Sequence, residues 1–175
     1  RRGRRRAAVR AAQLPRPDRV ERHVRVARWI ESLPDDRRED RSELLAHHYV
    51  QAIELSRSAG LGAAELQPAA AAALREAGLR AFAVGAPPAC VRALRAAADL
   101  SDGELDARAL RVLGKALVFT EQSSHEELLR AFDLFQAEGA NAAAAAVAVD
   151  LSNSLWHEGD GHGAAEWAAR GVGLI

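Results

Sequence analysis

Apolar residues recur every three or four positions along most of the chain, and glycine, proline or a short polar residue interrupts them at regular points. This is the pattern of successive amphipathic helices. The first predicted helix runs from Asp18 to Leu33, with Val20, Val24, Ala27 and Ile30 on one stripe, and Pro34 closes it. A charged turn, PDDRRED, comes next. The second helix runs from Ser42 to Ala59. Its expected buried stripe is Leu44, His48, Ala52, Leu55 and Ala59, and Gly60 is placed to form a left-handed C-terminal cap. GLGAAEL then reads as a loop. Six more helices are predicted over 68–84, 87–100, 104–121, 124–138, 141–158 and 161–173. Pro87 and Pro88 suit a first helical turn, where the amide they lack has no partner to lose. Ser101 with Glu104, and Ser124 with Glu127, have capping-box spacing, while Asn141 and Asp160 are expected to cap the last two helices.

A repeat emerges when the chain is written in blocks of 37 residues from Pro68, Leu105 and Ala142. Ala77, Gly78, Ala81, Phe82, Gly85, Cys90, Leu94 and Ala97 fall on Leu151, Ser152, Leu155, Trp156, Gly159, Ala164, Ala168 and Gly171. The middle block carries Leu113, Gly114, Leu117 and Phe119 on its first helix and Leu128, Phe132 and Phe135 on its second, with a slip of about one residue at the turn. Each block is a helical hairpin. A single hairpin cannot bury its own apolar face, so the blocks are expected to stack into a right-handed superhelical arc. The predicted fold is therefore all-α, a helical-hairpin α-solenoid of about eight helices. Residues 1–16 form a basic leader or the edge of a preceding domain, 17–66 an N-terminal helical pair, and 67–175 three hairpins.

Composition supports helices over sheets. The chain is 49% hydrophobic but only 5% aromatic, and alanine dominates the apolar fraction. The longest unbroken apolar run, Ala142 to Val149, is far short of the roughly 20 residues that span a bilayer. The AAVRAA that follows the N-terminal arginines is short and broken by Arg10 and makes a poor secretory signal, so a cytoplasmic address is expected. Cys90 is the only cysteine, which rules out an internal disulfide and cysteine-based zinc clusters. The chain starts at Arg1 and has no methionine, as expected of a piece from inside a longer protein. Its net charge is zero but uneven: residues 1–28 hold 11 arginines against Asp18 and Glu21, and the rest is correspondingly acidic. Such an arm is either a solvated leader or a source of unspecific phosphate affinity.

Two resemblances follow from these residues. The LG-x-x-L of Leu113, Gly114 and Leu117, the LS-x-x-L of Leu151 to Leu155, and the small–large–small run of Cys90, Leu94 and Ala97 resemble tetratricopeptide repeats. Ala81, Leu117 and Leu155 stand where those repeats usually carry an aromatic residue. Within residues 13–60, QLPRPDRVERHVRVARWIESL and ELLAHHYVQAIELSRSAG look like the segment after the ATPase core of large bacterial signalling ATPases of the AAA or STAND type. Those proteins often carry a class III nucleotide cyclase or a transcriptional regulator's DNA-binding domain. The resemblance implies a sensor or scaffold arm, and it transfers no catalytic residue.

The chemical motifs do not assemble into a reaction centre. A phosphate-binding loop needs glycines followed by Lys and Ser or Thr, but the single lysine, Lys115, precedes Ala116 in mid-helix. His47 and His48 are neighbours on a helix and point about 100° apart; His48 is expected on the buried stripe with its ring hydrogen-bonded, and His47 toward the surface or a neighbouring helix. His157, Glu158, Asp160 and His162 surround the Gly159 turn, where a metal is conceivable but Asp160 reads better as a cap. Cys90 reads as a small packed residue. The carboxylate pairs Asp35–Asp36 and Glu126–Glu127 suit solvated turns. Trp29, Trp156 and Trp167 are expected in the core, and the alignment of Trp156 with Phe82 extends that to Phe82. No catalytic residue, metal or cofactor is assigned, and the chain is expected not to be an enzyme.

The expected function is a regulatory interaction module. A groove on the first helices, with Arg75, Leu79, Arg108, Arg111, Lys115 and Asn153 as candidate contacts, would take a protein segment or an adjacent domain of the same chain. Alternatives are a small-molecule effector sensor, or nucleic-acid binding through the arginine arm.

Overall fold

A computed structural model describes residues 16–34, 41–120 and 124–175. Most of the basic leader, the charged turn with Asp35 and Asp36, and the last residue of the helix expected over 104–121 lie outside the described residues. Within them are eight α-helices and no strand: α1 (Arg16–Glu31), α2 (Ser42–Ser58), α3 (Gln67–Ala83), α4 (Pro87–Asp99), α5 (Ala107–Val118), α6 (His125–Ala137), α7 (Asn141–His157) and α8 (Gly161–Val172). A short 3-10 turn, Ala64–Leu66, occupies the expected loop before α3. The chain divides into two compact units, Arg1–Ala77 and Gly78–Ile175.

Local chemistry sets the helix ends. Gly85, with φ of +76°, reverses the chain after α3; its amide donates to the Phe82 carbonyl at 3.0 Å and the Ala86 amide to the Ala81 carbonyl at 2.8 Å. These two bonds satisfy carbonyls that the last helical turn leaves open. The same pair of bonds closes α2 at Gly60, α6 at Gly139 and α7 at Gly159. Pro87 and Pro88 occupy the first two positions of α4, as expected. Asp160 caps α8, its carboxylate accepting from the Gly163 amide at 2.9 Å.

Three expected caps are corrected. Helix α5 starts at Ala107, and its cap is Asp106, which accepts from the Ala109 amide at 2.8 Å. The Ser101 hydroxyl instead lies within hydrogen-bond distance of the Ala97 and Glu104 carbonyls and can donate to either, and Asp102 and Gly103 adopt positive φ, so no helix can form there. Ser124 does precede α6, but its hydroxyl is buried against that of Ser154 on α7 at 2.9 Å and caps nothing. Asn141 is the first residue of α7 and not its cap, which is Ala140.

In the first unit, α1 contributes buried Ala27 and Ile30, and α2 contributes Ala46, Tyr49, Ala52 and Ile53. The α2 stripe is thus rotated from the expected one, with Leu44 48% exposed. The larger Tyr49 and Ile53, one turn apart, take the inner face, and the Tyr49 hydroxyl is hydrogen-bonded to Glu31 of α1. Burial, and then Glu31, push the Tyr49 phenol up to about 12, so it keeps its proton and donates.

In the second unit, two clusters share α5. Ala109, Leu113, Ala116 and Leu117 pack with Ala81 of α3 and Cys90, Val91 and Leu94 of α4. Leu110 packs with Leu128, Ala131 and Phe132 of α6 and Ala144, Val147, Ala148 and Leu151 of α7. Helix α5 is therefore apolar on two sides, and each side faces a different neighbour. Glycines bring the helices of a hairpin close together: a methyl group on Gly78 would lie 2.6 Å from Cγ of Leu94, and one on Gly114 would lie 2.6 Å from Cγ of Leu128. At the equivalent place in the third hairpin, the Ser152 hydroxyl donates to the Ala164 carbonyl at 2.8 Å.

Gly114→Ala tests this packing. In an open helix the change would stabilise by about 1 kcal/mol. Here Leu128 is fully buried and cannot swing away, so overpacking costing about 1–3 kcal/mol outweighs the gain. The urea midpoint should fall; a rise would show that α5 and α6 are not held this closely.

Candidate functional site

Packing in the second unit leaves one defined face on the first helices of the hairpins. Helix α5 buries Ala107, Ala109, Leu110, Leu113, Gly114, Ala116 and Leu117, so Arg108, Arg111 and Lys115 are turned away from the core. Arg111 donates through Nε to Oδ2 of Asp150 on α7 at 2.6 Å, and Lys115 Nζ lies 3.5 Å from the other carboxylate oxygen. The Asp150 side chain is only 12% exposed. One carboxylate thus lies between two cations and ties the first helix of one hairpin to that of the next. Arg108 is exposed, so the four charges leave this part of the face net positive.

Aromatic rings continue the face. Lys115 Nζ lies 5.9 Å from the centroid of the Phe82 ring on α3, and Phe82 and Phe119 are 6.3 Å apart between centroids. Phe82, Phe119 and Trp156 stand at the C-terminal ends of α3, α5 and α7, and each is 37 residues from the next. Phe119 is 70% exposed and Trp156 69%, while Phe82 packs partly against the core. On α7, Val149, exposed like Asn153, extends the apolar surface toward Trp156.

Trp156 and Trp29 are corrections, since both were expected inside. Trp156 follows the buried Ser154 by two residues, which rotates it roughly 200° around the helix, away from the inner face. Trp29 lies between the buried Ala27 and Ile30 and is turned out in the same way, 59% exposed. Trp167 is half-buried, its ring edge-on to Phe132 at 5.1 Å. The aromatic row is visible only when the 37-residue step is taken without the slip in the middle block, and its exposure cannot be read from residue type.

The expected contact residues fall as follows. Arg111 and Lys115 meet at Asp150, Arg108 and Asn153 are exposed on the same two helices, and Leu79 is half-buried on α3. Arg75 belongs to the first unit, where it pairs with Glu76 at 3.4 Å.

The other motifs disperse. His125 reaches Glu158 at 3.4 Å, His162 pairs with Glu166 at 3.3 Å, Asp160 caps α8, and His157 is exposed. Among the described residues, no group of three or more His, Cys, Asp or Glu is arranged to hold a metal ion, and no helix is long and apolar enough to cross a membrane. His47 is exposed; His48 is half-buried and its ring is hydrogen-bonded to His23, a partner that the sequence reading did not identify. Cys90 is fully buried, and burial pushes its thiol up to about 11, the reverse of what a nucleophile needs.

Two measurements follow. A double-mutant cycle on Arg111→Ala and Asp150→Ala should give a coupling of about 1 kcal/mol, larger than an isolated surface pair, because both groups are partly desolvated. A coupling below about 0.3 kcal/mol would mean that the helices are not tied there. At pH 8, a thiol reagent should label native Cys90 only as fast as the chain opens and should label it freely in denaturant; equal rates would place the thiol at the surface. No protein-family model matches the chain, and no curated protein matches it.

Proposed function

We propose that the chain is a non-catalytic, cytoplasmic regulatory module whose hairpins stack as a tetratricopeptide-like α-solenoid, and that its first-helix face binds a protein segment or an adjacent domain of the same chain. The observation that carries this reading is the aromatic row. Three rings recur at 37-residue intervals near the C-terminal ends of successive first helices, Phe119 one residue past the end of α5, and two of them are more than two-thirds exposed. A helix exposing rings of that size forgoes a large burial energy, and packing inside the unit does not require it. Aromatic and arginine side chains are the types that dominate the buried centres of interfaces.

The stacking is supported by α5, which packs on two sides, and by the Arg111–Asp150 contact between successive first helices. The net positive strip beside the rings favours a partner that presents carboxylates together with apolar side chains. The resemblance of residues 13–60 to the segment after the core of large bacterial signalling ATPases supplies a context: the face would report on, or be masked by, a neighbouring domain of a nucleotide-driven switch.

The test is selection of extended peptides against the full chain, followed by fluorescence anisotropy with Phe119→Ala and Trp156→Ala. The selected peptides should be rich in acidic and apolar residues. Each substitution should weaken their binding by about tenfold or more while leaving the thermal midpoint nearly unchanged. Selected peptides that bind both variants like the parent chain would place the interaction elsewhere.

A further inference from the structure

The α1–α2 hairpin of the first unit carries a contact that the binding face does not use. His23 on α1 and His48 on α2 point their Nδ1 atoms at each other at 3.0 Å, with ring centroids 5.1 Å apart. His47 is beside them, its ring 5.4 Å from His48 and 6.3 Å from His23. An Nδ1–Nδ1 hydrogen bond has room for one proton, donated by one ring and accepted by the lone pair of the other. A proton on the accepting Nδ1 as well would turn two N–H groups toward each other and make the accepting ring positive against its neighbour.

The surroundings oppose that second proton. Among the described residues, the charges acting on the pair are Arg19, one turn before His23 on α1, and His47 on α2, and no carboxylate acts on either ring. Burial first, then His48, His47 and Arg19, hold His23 below the ordinary histidine value, and burial followed by His47 does the same to His48. His125 and His162, by contrast, each lie beside a glutamate. A metal is a poor occupant: two imidazoles with no third ligand arranged among the described residues, in a positive neighbourhood, do not make a metal site.

We propose that the His23–His48 contact is a proton-sensitive clasp that holds α1 against α2 at neutral pH and releases it on acidification. Both groups take up protons more readily when the hairpin opens. The stability they contribute is therefore complete above the unfolded value of 6.5 and is lost as pH falls below it and through the folded values. The apolar contacts of Ala27, Ile30, Ala46 and Ile53 carry no titrating group, so acidification loosens the hairpin at the histidines and leaves those contacts in place.

Amide hydrogen exchange on the full chain reads this directly. Between pH 7.5 and 5.5, after correction for intrinsic rates, protection in Arg16–Glu31 should fall several-fold while that of α5 to α7 stays level. In His23→Asn and His48→Asn, where a neutral amide replaces the ring, the fall should disappear. A parent chain without the fall, or variants that keep it, would overturn the proposal. If a variant does not fold, an NMR titration of the parent imidazoles decides. His23 and His48 should titrate below 6.5 in separate steps; a joint step at or above that value would overturn the clasp.

Discussion

Close approach between alanine-rich helices is the constraint on which the rest of the structure depends. Few large side chains are available to fill a core, so the helices must come near enough for small ones to touch. Gly78 against Leu94 and Gly114 against Leu128 mark where that approach is tightest, and in both the leucine is fully buried. At such positions a side chain on the first helix would push the hairpin apart and leave voids along its length. The Ser152 hydroxyl, bonded to a carbonyl of the facing helix, solves the same spacing problem with a polar contact in place of a void.

Small residues on the inner faces let the buried leucines and Phe132 reach across between helices, while Phe119 and Trp156 stay outside the core. Helix α5 is the clearest case. Two of its sides are covered by different neighbours, and its remaining positions carry Arg108, Arg111 and Lys115, with Phe119 at its end. The charges are not scattered: Asp150 gathers Arg111 and Lys115 across to α7, and Lys115 also reaches toward the Phe82 ring. A contact between consecutive hairpins and a surface suited to a partner are thus built from the same few residues. Anything that binds Asp150 or displaces Lys115 would also act on the tie between the hairpins.

Features set by a few consecutive residues could be read from the sequence. Helix ends at Gly60, Gly85 and Gly159, the prolines opening α4 and the Asp160 cap are all local chemistry, and the helices lie close to where periodicity places them. The all-helical class followed from the same signals. Errors arose where two local signals compete or where a side chain is claimed by a distant partner. Ser101 and Asp106 both offer a cap for α5, and only the positive φ at Asp102 and Gly103 decides between them. Ser124 has the right spacing but spends its hydroxyl on Ser154, 30 residues away. The site was less readable: residue type suggested that Trp156 and Trp29 were core, whereas their angular position on the helix turns them out. His48 was expected to have a ring partner, but naming His23 required the register of α1 on α2.

Mutual support between hairpins is the claim that underlies both the fold and the proposed face, and truncation after Ala140 tests it most directly. Removing α7 and α8 strips Leu110, Leu128 and Phe132 of the partners Ala144, Val147, Ala148 and Leu151. The shortened chain should lose amide protection throughout α6 and unfold at a lower urea concentration than the parent chain. A truncated chain in which α6 keeps its protection and the midpoint is unchanged would show that each hairpin stands alone, and would contradict the account.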